Sequence, residues 1–336
     1  MNFKKKTQTV AALSVALIAA TLICNTAEAA TKAFATNSKS TSTGTVGDDN
    51  EYPYYGEKLS VKRHEYKCFK IGKIEGEAGE GFQGISASGQ YVASLQNTGI
   101  CNLYRYDGKT LRKVSRFRLA SYAKENHCNV ASFGTERVQP DDAMPVLYVS
   151  QAQRARYQGM KDACFVERIT EKGSTLVQTI NFDDRTHIFG YALQWVIDRE
   201  NNLLVGYGNT IDNENPQNRH AVIVFPLPKL SDGAVVTLTR DDAIDQFYLE
   251  DTFHRNINPT IGQGLCVKNG KLFMPTGLGT ESRPSLMYVV DLMTHHLTNI
   301  IDMTKSTSDE LEDCDAYGDE CLLVQCVDGS IYRMEF

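Results

Sequence analysis

Polar residues recur at the start of short apolar segments throughout this chain. Five such places contain Gln83, His127 with Asn129, Gln194, Gln263, and Glu312 with Asp313 and Asp315. A side-chain amide offers both hydrogen-bond donors and acceptors, which suits the hydroxyl and amide groups of a sugar or peptide. The candidate ligand-binding residues are therefore Gln83, Asn129, Gln194, Gln263 and Asp315.

The same set contains groups that could catalyse a reaction. His127 could act as a general base, and Glu312 and Asp313 could supply carboxyl groups. A glycosidase needs two carboxyl groups about 5 to 9 Å apart, and a partner from a loop such as Asp183-Asp184 would then be required. These three residues are catalytic candidates only if the protein is an enzyme. The alternative is that the polar side chains bond one another and ordered water.

Motifs for metal, phosphate or serine chemistry are weak or absent in the sequence. The acidic residues at 312, 313 and 315 could offer oxygens to Ca²⁺, which takes six to eight ligands, but no EF-hand loop surrounds them. The sequence has no P-loop and no HExxH motif. The stretch GISASG at 84–89 spaces its glycines too widely for a G-x-S-x-G nucleophile motif. We therefore predict neither a metal nor another cofactor.

The apolar segments that position these residues have strand character. In the first unit they are GISAS, YVASL, CNLYRYD and SRFRL, separated by turns at Ser88-Gly89 and Asp107-Gly108. Similar units begin near residues 129, 195, 264 and 313, while the acidic run at 241–253 is interpreted as a loop. Four-stranded repeats of about 40 to 50 residues are typical of propeller blades. We predict an all-β single domain, a β-propeller of five blades, with six as the alternative.

The two ends of the chain predict how the ring closes. The last unit has only three strands, and residues 65–75, EYKCFKIGKIE, form a lone strand before the first unit. A closed ring must cover its sheet edges, so the N-terminal strand is expected to complete the C-terminal blade. The recurrence of Gln-Gly at 83–84 and 263–264 is explained by glycine, which lets neighbouring inner strands approach closely.

The chain resembles secreted β-propeller proteins in its repeated QG(I/L) motif and in its ending DGSIYRMEF. The resemblance covers nearly all of the chain after residue 62, and it implies an architecture without a particular activity. Five-bladed propellers of similar type include lectins, calcium-dependent nucleotidases, furanosidase-type glycosidases and glutaminyl cyclotransferases. The ELED run at 310–313 and the QGL at 263–265 are similar to cyclotransferase segments.

The N-terminal residues predict export. Residues 1–29 combine a basic start, an apolar core and Ala27-Glu28-Ala29, and they are interpreted as a bacterial signal peptide. Residues 30–62 are rich in Ser, Thr, Gly and Asp and are expected to form a flexible tether, leaving 63–336 for the propeller. No later segment is apolar for long enough to span a membrane. A periplasmic, cell-surface or extracellular location follows.

Charge and cysteine content limit the partners. The chain has 35 basic and 41 acidic side chains, a formal charge of −6, which argues against nucleic acid because such binders present a basic surface. Eight cysteines follow the signal segment and are compatible with either disulfides or buried thiols. Our first hypothesis is a monomeric recognition module for a glycan, peptide or protein ligand. The alternative is a carbohydrate-active hydrolase or lyase using the same channel mouth.

Overall fold

The protein is an all-β, five-bladed propeller. A computed structural model describes residues 45–46, 61, 63–151, 156–157, 160–212, 215, 217–257, 259 and 262–336. Five small sheets lie in a ring, so the prediction of a five-bladed propeller is confirmed and the six-bladed alternative is not. The predicted signal peptide and nearly all of the predicted tether lie outside the described residues.

Each blade is numbered from the N-terminal end of the ring, and its strands run from the inside outward. Blade 1 contains Phe82–Ser88, Tyr91–Gln96, Ile100–Tyr106 and Leu111–Arg118. Blade 2 contains Val130–Phe133, Leu147–Ser150, Cys164–Thr170, Gly173–Phe182 and Val235–Leu238. Blade 3 contains Tyr191–Asp198, Leu203–Asn209, His220–Pro226 and Asp245–Tyr248.

The last two blades include strands from the N-terminal part of the chain. Blade 4 contains Cys266–Lys268, Lys271–Thr276, Leu286–Asp291, Leu297–Asp302, Arg63–Glu65 and Thr45–Val46. Blade 5 contains Leu311–Tyr317, Cys321–Cys326, Ser330–Glu335 and Lys67–Lys73. Among the described residues outside the blades, Arg156–Tyr157 and Met160–Lys161 form a small hairpin. Leu230–Asp232 and Arg240–Asp242 form 3-10 turns.

The ring closes as the sequence predicts. Lys67–Lys73 pairs antiparallel with Ser330–Glu335, with Lys67 opposite Glu335 and Lys73 opposite Ser330. The outermost strand of the C-terminal blade thus comes from the N-terminal side of the chain. Because the first and last parts of the chain share one sheet, opening the ring requires breaking this strand pairing.

One strand assignment differs from the sequence prediction. The outer strand of blade 3 is Asp245–Tyr248, inside the run interpreted as a loop, and it pairs with Ala221–Val224. The more apolar Val235–Leu238 instead adds in parallel to the outer edge of blade 2. In Asp245–Tyr248 only Phe247 is buried, so the segment lacks the apolar character that identifies a strand in the sequence.

Glycines at the inner strands are required by close packing. A Cβ at Gly84 would lie 2.9 Å from the Ala131 nitrogen and 2.9 Å from the Cys128 oxygen, both in backbone that belongs to the neighbouring blade. A Cβ at Gly264 would collide with the backbone and carboxyl group of Asp313. Both glycines therefore have the structural role that the repeated Gln-Gly motif predicts.

Apolar side chains fill the spaces between adjacent blades. The largest aromatic group packs Phe182 of blade 2 against Trp195 and Phe225 of blade 3, with ring centroids 5.7 to 6.4 Å apart. The Trp195 indole N–H donates to the Asp162 carbonyl at 2.8 Å. All eight cysteines among the described residues are free thiols, and seven of them are buried. The interior is therefore held by packing, without disulfides among these residues.

We predict that the closing strand is needed for cooperative folding. A chain starting at Ile74 lacks Lys67–Lys73, whereas a chain starting at Tyr66 retains it. Without the strand, the free energy of unfolding should fall by about 3 kcal/mol or more, because Ile331 and Met334 lose part of their cover. Urea unfolding of the two chains measures the difference. Equal midpoints would show that the ring does not depend on this pairing.

Candidate functional site

A cavity of about 290 Å³ opens at the end of the ring where the inner strands begin. Each of the five blades contributes one of the sequence-predicted polar residues to its lining: Gln83, Asn129, Gln194, Gln263 and Glu312. His127 also lines the cavity. The inner strands run in the same direction around the axis, so residues at their starts meet at one mouth. The structure thus brings together six of the eight predicted site residues.

The other lining residues were not among the eight predicted site residues. They are Tyr191, Ala192, Tyr207, Asn209, His220, Gly262, Leu278 and Glu310. Tyr207 and His220 form a buried pair, with the phenol oxygen 2.5 Å from His220 Nδ1. Tyr207 lies on the second strand of blade 3 and His220 on the third. Position along an inner strand could not identify them, because they reach the cavity from deeper in the blade.

Three amide oxygens in the lining have no hydrogen-bond partner within the described part of the chain. They are Gln83 Oε1, Asn129 Oδ1 and Gln194 Oε1, from blades 1, 2 and 3. The three residues are 6%, 3% and 5% exposed. Buried polar atoms are normally paired, and leaving one unpaired costs free energy. These oxygens are therefore acceptors that a bound ligand or water would satisfy.

Two carboxyl groups lie on the blade 5 side of the cavity. Glu312 is almost fully buried, and burial raises its pKa well above the usual range. The charges of Glu310 and Asp313 raise this pKa further, while a hydrogen bond from Gln83 lowers it by a smaller amount. Burial also raises the pKa of Glu310, which accepts a hydrogen bond from Gln263 Nε2 at 2.6 Å. The cavity thus contains acids that hold protons at higher pH than exposed glutamates do.

His127 is neutral in this environment. Burial lowers the pKa of its imidazole to about 4, and its Nδ1 lies 2.6 Å from Asn97 Oδ1. A carbonyl oxygen accepts, so Nδ1 carries the proton and Nε2 is the acceptor. No acidic side chain is its hydrogen-bond partner among the described residues. His127 can therefore accept a proton or a hydrogen bond at Nε2 without a carboxylate to orient it.

Asp313 and Asp315 do not line the cavity. They lie further along the inner strand of blade 5, and both side chains are buried at the axis. Asp315 accepts hydrogen bonds from Ser86 Oγ at 2.6 Å and from the Ala87 N–H at 2.8 Å, and it forms an ion pair with Arg199. The structure therefore places these two predicted site residues in contacts that hold the blades together. Among the described residues, no group of three or more acidic, histidine or cysteine side chains is arranged to hold a metal ion.

Comparisons with known proteins identify no family. No protein-family model matches the chain, and no curated protein matches it. Glutaminyl cyclase of Myxococcus xanthus is similar with a TM-score of 0.49 and 10% identity, over 80% of this chain and 95% of the enzyme. A Bacteroides thetaiotaomicron protein of unknown function has a TM-score of 0.43 and 9% identity, over 80% and 75%.

The tail fiber of Staphylococcus aureus phage P68 is also similar, with a TM-score of 0.49 and 10% identity. The match covers 80% of this chain and 52% of the tail fiber, so it spans about half of that protein. The fold of this chain is therefore assigned from its own strand topology.

Across the described residues, no helix is both long enough and apolar enough to cross a membrane.

We predict that Glu312 reduces stability at neutral pH. Its folded-state pKa is raised, so the native state binds more protons than the unfolded state, and stability falls as pH rises above the ordinary glutamate pKa. Glu312→Gln removes this ionisation and should raise the melting temperature at about pH 8. The gain should shrink as the pH approaches about 4. A melting-temperature series for both proteins measures it, and a variant less stable at every pH would contradict the prediction.

Proposed function

We propose that this protein is an exported, non-catalytic recognition module that binds a glycan in the cavity at the channel mouth. The observation that carries the proposal is the set of three buried amide oxygens, on Gln83, Asn129 and Gln194, that have no partner among the described residues. Sugar hydroxyl groups are donors as well as acceptors, so a glycan can pair with acceptors on several blades at once. A ligand that donates hydrogen bonds to these buried acceptors satisfies them.

The rest of the lining also favours a hydroxyl-rich ligand over an apolar side chain. Leu278 and Ala192 are the aliphatic residues among the described lining, while the partly exposed Tyr191 provides a ring with a polar end. Aromatic rings offer a flat apolar face and a hydrogen-bonding edge, which matches the two kinds of surface on a sugar. Export is supported by the basic, apolar and Ala-x-Ala segments of residues 1–29.

The binding prediction concerns the unpaired amides. Asn129→Ala and Gln194→Ala should each weaken glycan binding by about threefold to tenfold, because each removes one neutral hydrogen bond. A glycan array identifies the ligand, and calorimetry with that ligand measures the loss. Gln90→Ala is the matched control, since Gln90 is an exposed amide in the turn before Tyr91. Equal affinity in both cavity variants and the control would remove these amides from the site.

The enzyme alternative has one specific observation in its favour. Glu310 and Glu312 line the same cavity, and the pKa of each is raised by burial. A protonated glutamate can act as general acid towards a glycosidic oxygen, and His127 could accept a proton at Nε2. Asp313 is hydrogen-bonded to backbone away from the cavity, so this hypothesis now rests on Glu310, Glu312 and His127.

Turnover on the glycan that the array identifies distinguishes the enzyme from the recognition module. A recognition module releases no new reducing ends, whatever the incubation time. If the protein is a hydrolase, Glu312→Gln should lower the rate by about 10² to 10⁴, the range for loss of a general acid. Detectable release that survives in both Glu312→Gln and His127→Ala would exclude these residues from the mechanism.

A further inference from the structure

We infer that the cavity takes a primary ammonium group, carried by an amino sugar of the bound glycan. This inference rests on the proposed function and specifies the chemistry of its ligand. Three neutral acceptors and two carboxyl groups surround one cavity: Gln83 Oε1, Asn129 Oδ1, Gln194 Oε1, Glu310 and Glu312. An ammonium group donates three hydrogen bonds and accepts none, which matches a lining rich in unpaired acceptors.

The acceptors belong to a built site. Each of the three amides is more than nine-tenths buried, and each lies in the first half of, or directly before, the inner strand of a different blade. Gln83 and Gln194 lie at register shifts in the strand pairing of blades 1 and 3, and Asn129 directly precedes the first paired residue of blade 2. A neutral hydroxyl satisfies one acceptor at a time, whereas one ammonium can satisfy several acceptors from different blades. The arrangement therefore favours a small group with several hydrogen-bond donors, such as an ammonium.

The charges of the lining favour a cation. Neither lysine nor arginine is among the described residues that line the cavity, whereas Glu310 and Glu312 both are. A buried carboxyl group without a cationic partner is poorly solvated. An opposite charge within about 4 to 6 Å favours the ionised form of such a group. An ammonium in this cavity would therefore be stabilised by Glu312 and would in turn stabilise the Glu312 carboxylate.

This pairing makes binding depend on pH. The titratable groups around Glu312 are Glu310 and Asp313 on its own segment, and His127, His220, Tyr191 and Tyr207 from other blades. Glu312 must lose its proton to pair with a cation, so affinity for an amine should increase as pH rises above the usual range of a glutamate pKa. At higher pH the amine itself loses its proton and affinity should fall. A ligand without the amine should show neither change.

A matched pair of glycans tests the inference with the purified protein. Chitosan tetraose carries free amino groups, and chitin tetraose is the same chain with those groups acetylated. At about pH 6, where the amino groups of chitosan are largely protonated, we expect chitosan tetraose to bind on the order of tenfold more tightly. In Glu312→Gln this preference should fall to near unity. Asp319→Asn is the control, because it removes one negative charge from an exposed turn of the same blade and should retain the preference.

The remaining outcomes overturn the inference in distinguishable ways. Equal or tighter binding of chitin tetraose would overturn the ammonium inference while leaving glycan recognition intact. If Asp319→Asn also lost the preference for chitosan tetraose, the preference would depend on the net charge of the protein. That result would overturn the inference too. Tighter binding of a short peptide with a free N-terminus than of either glycan would overturn the amino-sugar source. No binding of any glycan on the array would instead remove the proposed function itself.

Discussion

The carboxylate of Asp313 lies at the axis and connects three other blades to blade 5. Its Oδ1 accepts the Leu265 N–H of blade 4 at 2.9 Å. Its Oδ2 accepts the N–H groups of Ile85 in blade 1 at 2.8 Å and Ala131 in blade 2 at 3.1 Å. The inner edge of an innermost strand has no neighbouring strand, so its buried backbone N–H groups need other acceptors. One side chain supplies an acceptor for three of them.

Other polar side chains continue this pattern along the axis. Ser86 Oγ accepts the Phe133 N–H at 2.7 Å and donates to Asp315, and Arg199 of blade 3 pairs with Asp315. Burying a charge is tolerated when it is paired and hydrogen-bonded, and Asp315 meets both conditions. Burial raises the pKa of Asp313 well above its usual range, although backbone N–H groups donate to it. The axis is therefore filled by carboxyl and hydroxyl groups, and the cavity lies at the mouth.

Much of this architecture follows from residue pattern. Short apolar segments with Gly and Asn turns predict four-stranded blades, and the lone strand at 65–75 predicts the ring closure that Lys67–Lys73 makes with Ser330–Glu335. Placement of Gln83 and Gln263 at the mouth follows because each lies close to the start of an inner strand. The pattern fails at Asp245–Tyr248, which has little apolar content of its own. This segment is a strand because it pairs with the apolar strand His220–Pro226.

The sequence alone determines that polar groups collect at one mouth, since strand starts in a ring of equivalent blades share one end. Only the tertiary structure decides which of them face a cavity and which hold the ring. Glu312 and Asp313 are adjacent, but the strand pairing shifts its register between Leu311 and Asp313, and such a bulge redirects side chains locally. Glu312 lines the cavity, while Asp313 accepts hydrogen bonds from backbone N–H groups of other blades. Tyr207 and His220 reach the cavity from other strands, which spacing along the chain does not encode.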